Sequence, residues 1–492
     1  MNFVLLKGLA AAALLSTGLL HAELPKPTLQ PTARSVDINV GETATVTLAD
    51  GSKATVSLTD LKEEADSMSG AVRSAKVKIS VNGSEPAWLT SANYNLPQLV
   101  GGVQIDCPIT RGYNATTSQD SWGLEKDARL RLWPADSPWI EPGTFVYPLK
   151  QRWFATMTQF SNEPTYVDGG DTPQRKKIYY HNDLDLGGCE GLIEVVAATD
   201  GLVVSVAEKT LPGYSLTPAR PRYDVVYVLD ERGWYYRYSH LHTIDPAIQV
   251  GSRVKMGQRI GLLGKEGASG GWSHLHFGIK GRQPSGKWGT EEAYAFAWEA
   301  YVREHRPSLI AVARPHHFIR AGESITLDAS KSWAASGKIT SYDWTFTDGG
   351  RASGATIKRT YAKPGSYSEI LKVTDTAGNI SYDFAIVQVI GDETNLPPAI
   401  HPAHSPTLNL KPGMPITFKV RTFRDQGGET WNFGDGTPPV QVRSDGNAKA
   451  LAKDGYATTQ HTFTKAGGYI VSVEHVNARG ERAVGHLWVR ID

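Results

Sequence analysis

Two histidines one residue apart, His274 and His276 in Trp272-Ser273-His274-Leu275-His276-Phe277-Gly278, carry the spacing with the most chemical potential in this chain. On a strand they turn their imidazoles to the same face, which is how a sheet builds a metal site. Among 14 histidines an isolated pair is more often surface or satisfied core than ligand, so partners must be sought upstream. His181 and Asp185 stand four residues apart in Tyr180-His181-Asn182-Asp183-Leu184-Asp185, and an extended segment brings both to one side. With His276 they make two imidazoles and one carboxylate, a ligand field suited to zinc that leaves a fourth position for water. Between these segments lies Tyr238-Ser239-His240-Leu241-His242. His240 and His274 are the candidates for taking a proton from that water and donating to an oxyanion. Taken singly, His240 and His242 read more readily as half-buried strand residues than as catalytic groups.

The elements that must position these residues are short strands. At 492 residues the chain is too long for one core, and 49 glycines with 28 prolines favour strands and turns over helical bundles. The net charge of +1 gives no global pull toward nucleic acid. Lys7 precedes an apolar run from Gly8 to Leu20 and then His21-Ala22, which reads as a signal peptide over 1–22 with cleavage after Ala22. A membrane anchor is the alternative, but the run is short for a span and no second stretch of spanning length follows. Export makes one disulfide between Cys107 and Cys189 an open possibility, with two free buried thiols as the other.

Residues 23–145 form a β-rich domain of alternating runs such as SVDINV and AKVKISVNG, without a cluster of ligand spacing. Residues 146–306 hold the chemistry and end in EEAYAFAWEAYVREH (291–305), whose apolar positions recur at helical spacing. The loop 209–223 is long and basic enough to wall a groove, or is simply a solvated loop. Gly264, Gly267, Gly270 and Gly271 lack the helix and Gly-Lys-Ser/Thr that a phosphate loop needs. Residues 307–391 and 397–492 repeat one pattern: YDWTFTDGG then YAKPGSY in the first, TWNFGDG then FTKAGGY in the second. Both modules resemble the PKD domain, an immunoglobulin-like β-sandwich often appended to secreted bacterial enzymes. They carry no catalytic constellation and are assigned to spacing, protein contact or polymer binding, with plain spacers as the simplest role.

HNDLDL (181–186), VVAATDGLVVSV (195–206), YSHL (238–241), VGSRVKMGQRIGLLGKEG (250–267) and SHLHF (273–277) occur in the order and approximate spacing of the M23 metallopeptidases. The resemblance is to lysostaphin-like or LytM-type peptidoglycan endopeptidases and covers about 150–285. It implies zinc (Zn2+) held by His181, Asp185 and His276, with His240 and His274 as catalytic histidines, on a compact antiparallel β core. One departure stands out: Asp183 occupies the centre of a motif where that family usually has glycine. If the position needs φ > 0, aspartate is among the few residues that tolerate it.

The expected fold is therefore mainly β and multidomain: an N-terminal β domain, an M23-like core and two PKD-like sandwiches. The expected function is a secreted or periplasmic zinc metalloendopeptidase acting on peptidoglycan cross-links or stem peptides. A protease directed at elastin or other proteins keeps the chemistry and changes the substrate. A non-catalytic wall-binding or adhesive protein, using these surfaces without turnover, is the reading from another class. The remaining partners are polymer or protein contacts through the PKD-like modules.

Overall fold

The computed structural model describes residues 25–66, 68, 70–115, 120–161, 180–391 and 394–492. The expected signal peptide at 1–22 lies outside the described residues. The alternating runs near the N-terminus form antiparallel strands in two four-stranded sheets. One is ordered Arg34–Ile38, Ala128–Pro134, Val103–Thr110, Gln98–Val100, and the other runs Thr43–Thr47, Lys53–Ala65, Val72–Val81, Ala87–Thr90. Every second residue of Lys53–Ala65 from Ala54 to Leu58 is buried, which is the period of a strand with one face on a core.

The central sheet is built around the strand His274–Arg282. Tyr235–Ser239 pairs along one side of it; Leu184–Gly187 and Trp288–Thr290 pair in succession along the other. Its Leu275, Phe277 and Ile279 point into a core shared with Tyr236, Tyr238, Leu184 and Leu186. Burying residues of this kind stabilises by roughly 1.5–3 kcal/mol each, so this face cannot be exchanged for the other. His274, His276 and Gly278 are thereby committed to the opposite face. A second sheet of Glu194–Val196, Arg259–Leu263 and Leu241–Ile244 lies beside it. The helix expected over 291–305 spans Tyr294–His305, with Phe296, Ala297, Ala300 and Tyr301 buried. Glu291 and Glu292 precede it and are buried, while Arg303 and His305 sit in its last turn, where the helix dipole favours cations.

The C-terminal repeat is visible in matching details. Trp344 and Trp431 are both buried on strands that enter the Asp-Gly turns. Tyr367 Oη donates to the Lys363 carbonyl at 2.8 Å, and Tyr469 Oη to that of Lys465 at 2.9 Å. The two modules also share one sheet: Gly365–Asp375 pairs in parallel with Arg482–Ile491 through Gly365 and Ser366. Beyond the spacing, protein contact or polymer binding expected of them, these modules also contact the central sheet, as described below. The disulfide does not form. Cys107 and Cys189 are free thiols buried in different cores, and burial pushes both up to about 12.

Among the buried histidines of the last module are His401, His404 and His486. Burial pushes the first two down to about 3 and the third to about 4. All are neutral when folded, whereas an unfolded histidine takes up its proton near pH 6.5. The unfolded chain thus binds more protons between pH 6.5 and 4, and stability falls as pH falls through that window. The expected slope from three such groups is about 4 kcal/mol per pH unit near pH 5. Urea midpoints of the full chain at pH 7.5 and 5 check this; equal midpoints contradict it.

Candidate metal centre

Strand register brings the sequence-distant residues together. His276 lies opposite Asp185 on one side and Ser239 on the other, and His274 lies opposite Gly187. His240 follows directly on Ser239, at the end of its strand, with φ 66. His181 arrives differently from the extended segment expected. The strand begins only at Leu184, and Asp183, at φ 75, bends the chain so that His181 turns back over Asp185. The position does take a positive φ, the condition under which aspartate is among the few tolerated residues.

His181 Nε2 is 2.9 Å from Asp185 Oδ1 and 3.1 Å from His276 Nδ1, and His276 Nδ1 is 2.9 Å from Asp185 Oδ1. These three lone-pair atoms form a near-equilateral triangle. A tetrahedron with bonds of about 2.0–2.1 Å has edges of about 3.3 Å, so a small contraction of the metal-bound geometry gives the triangle seen. The residues fit a divalent cation chemically as well. Protons on the imidazoles satisfy the triangle pairwise, but only a central cation meets all three lone pairs together. His181 and Asp185 are at most 1 % exposed and His276 4 %. Burial works to raise Asp185, but His181 and His274 beside it hold its carboxyl well below the usual carboxylate range.

The other two histidines border this triangle. His274 Nε2 lies 3.4 Å from Asp185 Oδ2, and the rings of His240 and His274 are 4.6 Å apart. Each has its other nitrogen on a carbonyl: His274 Nδ1 with Trp272 O at 3.0 Å and His240 Nδ1 with Glu266 O at 2.6 Å. A carbonyl only accepts, so both Nδ1 atoms carry protons and both Nε2 atoms present lone pairs. Burial pushes His274 down to about 3 and lowers His240 too, against the raising effect of Asp224. His242 is exposed and stands apart from this group, 3.9 Å from Glu190.

Asp224 went unread in the sequence. Its Oδ2 accepts the His240 backbone N–H at 2.9 Å and lies 3.5 Å from His240 Nδ1. Arg222 of the loop 209–223 binds both oxygens of Asp224, and its Nη2 lies 3.2 Å from His240 Nδ1, a close approach of two donors that Asp224 bridges. Part of that loop therefore abuts the site. No spacing pattern marks an aspartate sixteen residues from its partner; the sequential Arg222-Tyr223-Asp224 pair was the available signal.

The last module holds the loop that leads into the His-x-His strand. Trp272 stacks on Phe423 with centroids 4.2 Å apart and planes 10° apart. Arg421 Nη1 donates to Gly271 O and Asn447 Nδ2 to Gly270 O, at 2.9 and 3.1 Å. Ser273 N–H donates to Tyr456 Oη at 2.9 Å. Trp272, whose carbonyl fixes His274, is thus fixed by a module distant in sequence. On the other side Thr158 meets His401 at 3.1 Å, and Arg314 of the first module donates to the carbonyls of Thr156 and Thr158. A Cβ at Gly187 would lie 2.0 Å from Thr156 Oγ1, so glycine lets this segment cross the site strand.

Among the described residues a second group, Glu190, His242 and Glu266, also has ligand spacing. Lys265 Nζ already occupies Glu190 Oε1, which makes it the poorer cation site.

A sheet that presents two histidines and a carboxylate at ligand spacing, with two further histidines beside them, defines a candidate metal centre of the hydrolase type. Residues 179–286 match Peptidase family M23 and residues 306–389 match the PKD domain, so the chain carries both. Among solved structures, Helicobacter pylori Csd3 in its orthorhombic crystal is 14% identical, over 50% of this chain and 82% of that one, with a TM-score of 0.21. The Clostridium thermocellum CbhA fibronectin(III)-like modules are 13% identical, over 36% and 90%, with a TM-score of 0.15. At these scores neither likeness bears on the overall arrangement.

Replacing Tyr456 by phenylalanine leaves the buried Ser273 N–H without its acceptor, at a local cost of about 1–3 kcal/mol. The Ser273 amide is then expected to exchange with solvent roughly tenfold faster or more. Exchange at the wild-type rate contradicts the clamp described for this loop.

Proposed function

We propose that the chain is a zinc metalloendopeptidase, exported to the cell envelope or beyond, that hydrolyses peptide bonds in peptidoglycan cross-links or stem peptides. The observation that carries the reading is the triangle of His181 Nε2, Asp185 Oδ1 and His276 Nδ1, with edges of 2.9–3.1 Å, inside a segment matching Peptidase family M23. The peptidoglycan substrate is supported by the motif resemblance to lysostaphin-like enzymes, and export by the apolar run before Ala22.

His181, Asp185 and His276 would hold the zinc, which when bound supplies Lewis acidity toward a scissile carbonyl and a water. The chain's own part is proton handling. His240 and His274 each keep Nδ1–H on a carbonyl and offer Nε2 as a base. The ring that takes the proton changes from acceptor to donor at Nε2, and in that form stabilises an oxyanion or protonates the leaving amine. Burial favours the neutral ring, so the base is ready at neutral pH. Asp224 favours the charged form of His240 once it arises. The described N-terminal domain reaches Tyr180, beside His181, through the Val72 N–H.

The full chain is expected to bind one zinc per molecule, lost on His181→Ala. The variants His240→Ala and His274→Ala are expected to keep the metal and lose hydrolysis of purified peptidoglycan by roughly 10²–10⁴-fold. Zinc content by mass spectrometry and release of new amino termini are the measurements. A chain without metal and without turnover on peptidoglycan, elastin or peptides is instead the non-catalytic wall-binding protein.

A further inference from the structure

Asp183 is unnecessary for the backbone it sits on. Glycine adopts φ 75 without strain and would bring no charge into a position that is 1 % exposed. The carboxylate has nevertheless been accommodated on both sides. Its Oδ1 accepts from Lys280 Nζ at 3.1 Å, and its Oδ2 lies 3.3 Å from His276 Nε2. Both Oδ2 and Nε2 are buried, neither makes a hydrogen bond to any group among the described residues, and they face each other at 3.3 Å. The strand is shaped to receive it: a Cβ at Gly278 would lie 2.3 Å from Asp183 Oδ2, so only glycine leaves room there. His276, Gly278 and Lys280 occupy alternate positions of one strand face, and together form a histidine, a gap and a cation fitted to one carboxylate. Lys280 is anchored in turn by Asn182 Oδ1 at 3.0 Å and by Thr290 Oγ1 at 2.5 Å.

We propose that Asp183 is a positioning residue for His276: a carboxylate oxygen held 3.3 Å from Nε2 favours the tautomer with the proton on that nitrogen, which turns the Nδ1 lone pair toward His181 Nε2 and Asp185 Oδ1. A histidine that donates one nitrogen to a carboxylate has its ring orientation set and its other nitrogen made more basic toward a cation. Lys280 keeps the carboxylate ionised and pinned in place. The extra aspartate therefore strengthens the metal site that this chain's sequence otherwise shares with its family motif. The inference rests on the zinc reading above and adds to it the means by which one ligand is oriented.

The test is the zinc affinity of the full chain, measured by chelator competition at pH 7.5, with thermal unfolding of the metal-free protein as the check on folding. Asp183→Gly removes the acceptor and keeps the backbone conformation; it is expected to weaken zinc binding by roughly 10–100-fold with metal-free unfolding retained. Asp183→Asn, which keeps an oxygen acceptor, is expected to recover part of that loss. The pair Asp183→Gly with Lys280→Met separates orientation from simple charge: binding stays weak if the acceptor matters. Wild-type affinity in Asp183→Gly, or its return in the double variant, overturns the proposal while leaving the zinc reading intact. A wild-type chain that takes up no zinc overturns both.

Discussion

Everything at this site depends on the antiparallel pairing of Leu184–Gly187 with His274–Arg282. That register puts Asp185 directly across from His276, and a slip of one residue would send both side chains into the core. The register is held because Leu275, Phe277, Leu184 and Leu186 fill the opposite face, where each is fully buried. Hydrophobic patterning on one face thus fixes polar chemistry on the other. Tyr235–Ser239 on the far side then delivers His240 to the edge of the same cluster.

The cluster is also held from outside its own sheet. The carbonyl that sets the His274 tautomer belongs to Trp272, and Trp272 is packed on Phe423 between contacts from Arg421 and Tyr456. Arg421 is itself buried, with its guanidinium on both oxygens of Asp445 at 2.8 and 2.6 Å. Removing Asp445 would leave the buried guanidinium of this bidentate pair without its carboxylate, which is costly. The module that contains it is consequently part of the wall of the site, and the repeat serves architecture as well as any contact with a polymer.

The sequence made these features legible to different depths. His-x-His was readable because strand side chains alternate with period two, so the face shared by His274 and His276 follows from spacing alone. The set of candidate ligands was readable from their types, and the order of motifs pointed to the family that residues 179–286 match. The path of His181 was not, since one positive φ at Asp183 replaces the extended segment that spacing suggested. Asp224 was hidden because its link to His240 is tertiary and carries no local pattern. The clamp by Phe423 and Tyr456 was hidden for the same reason, and spacer was the reading left by modules without chemistry of their own. The two cysteines illustrate the limit most plainly: compartment permits a disulfide, but packing places each thiol in a separate core.

The central claim is that one cation is held by His181, Asp185 and His276. Crystals of the full chain grown with zinc, measured at the zinc absorption edge, test it most directly. The account predicts a single strong anomalous peak about 2.0–2.2 Å from His181 Nε2, Asp185 Oδ1 and His276 Nδ1. A peak at Glu190, His242 and Glu266, with none at the triangle, would contradict it.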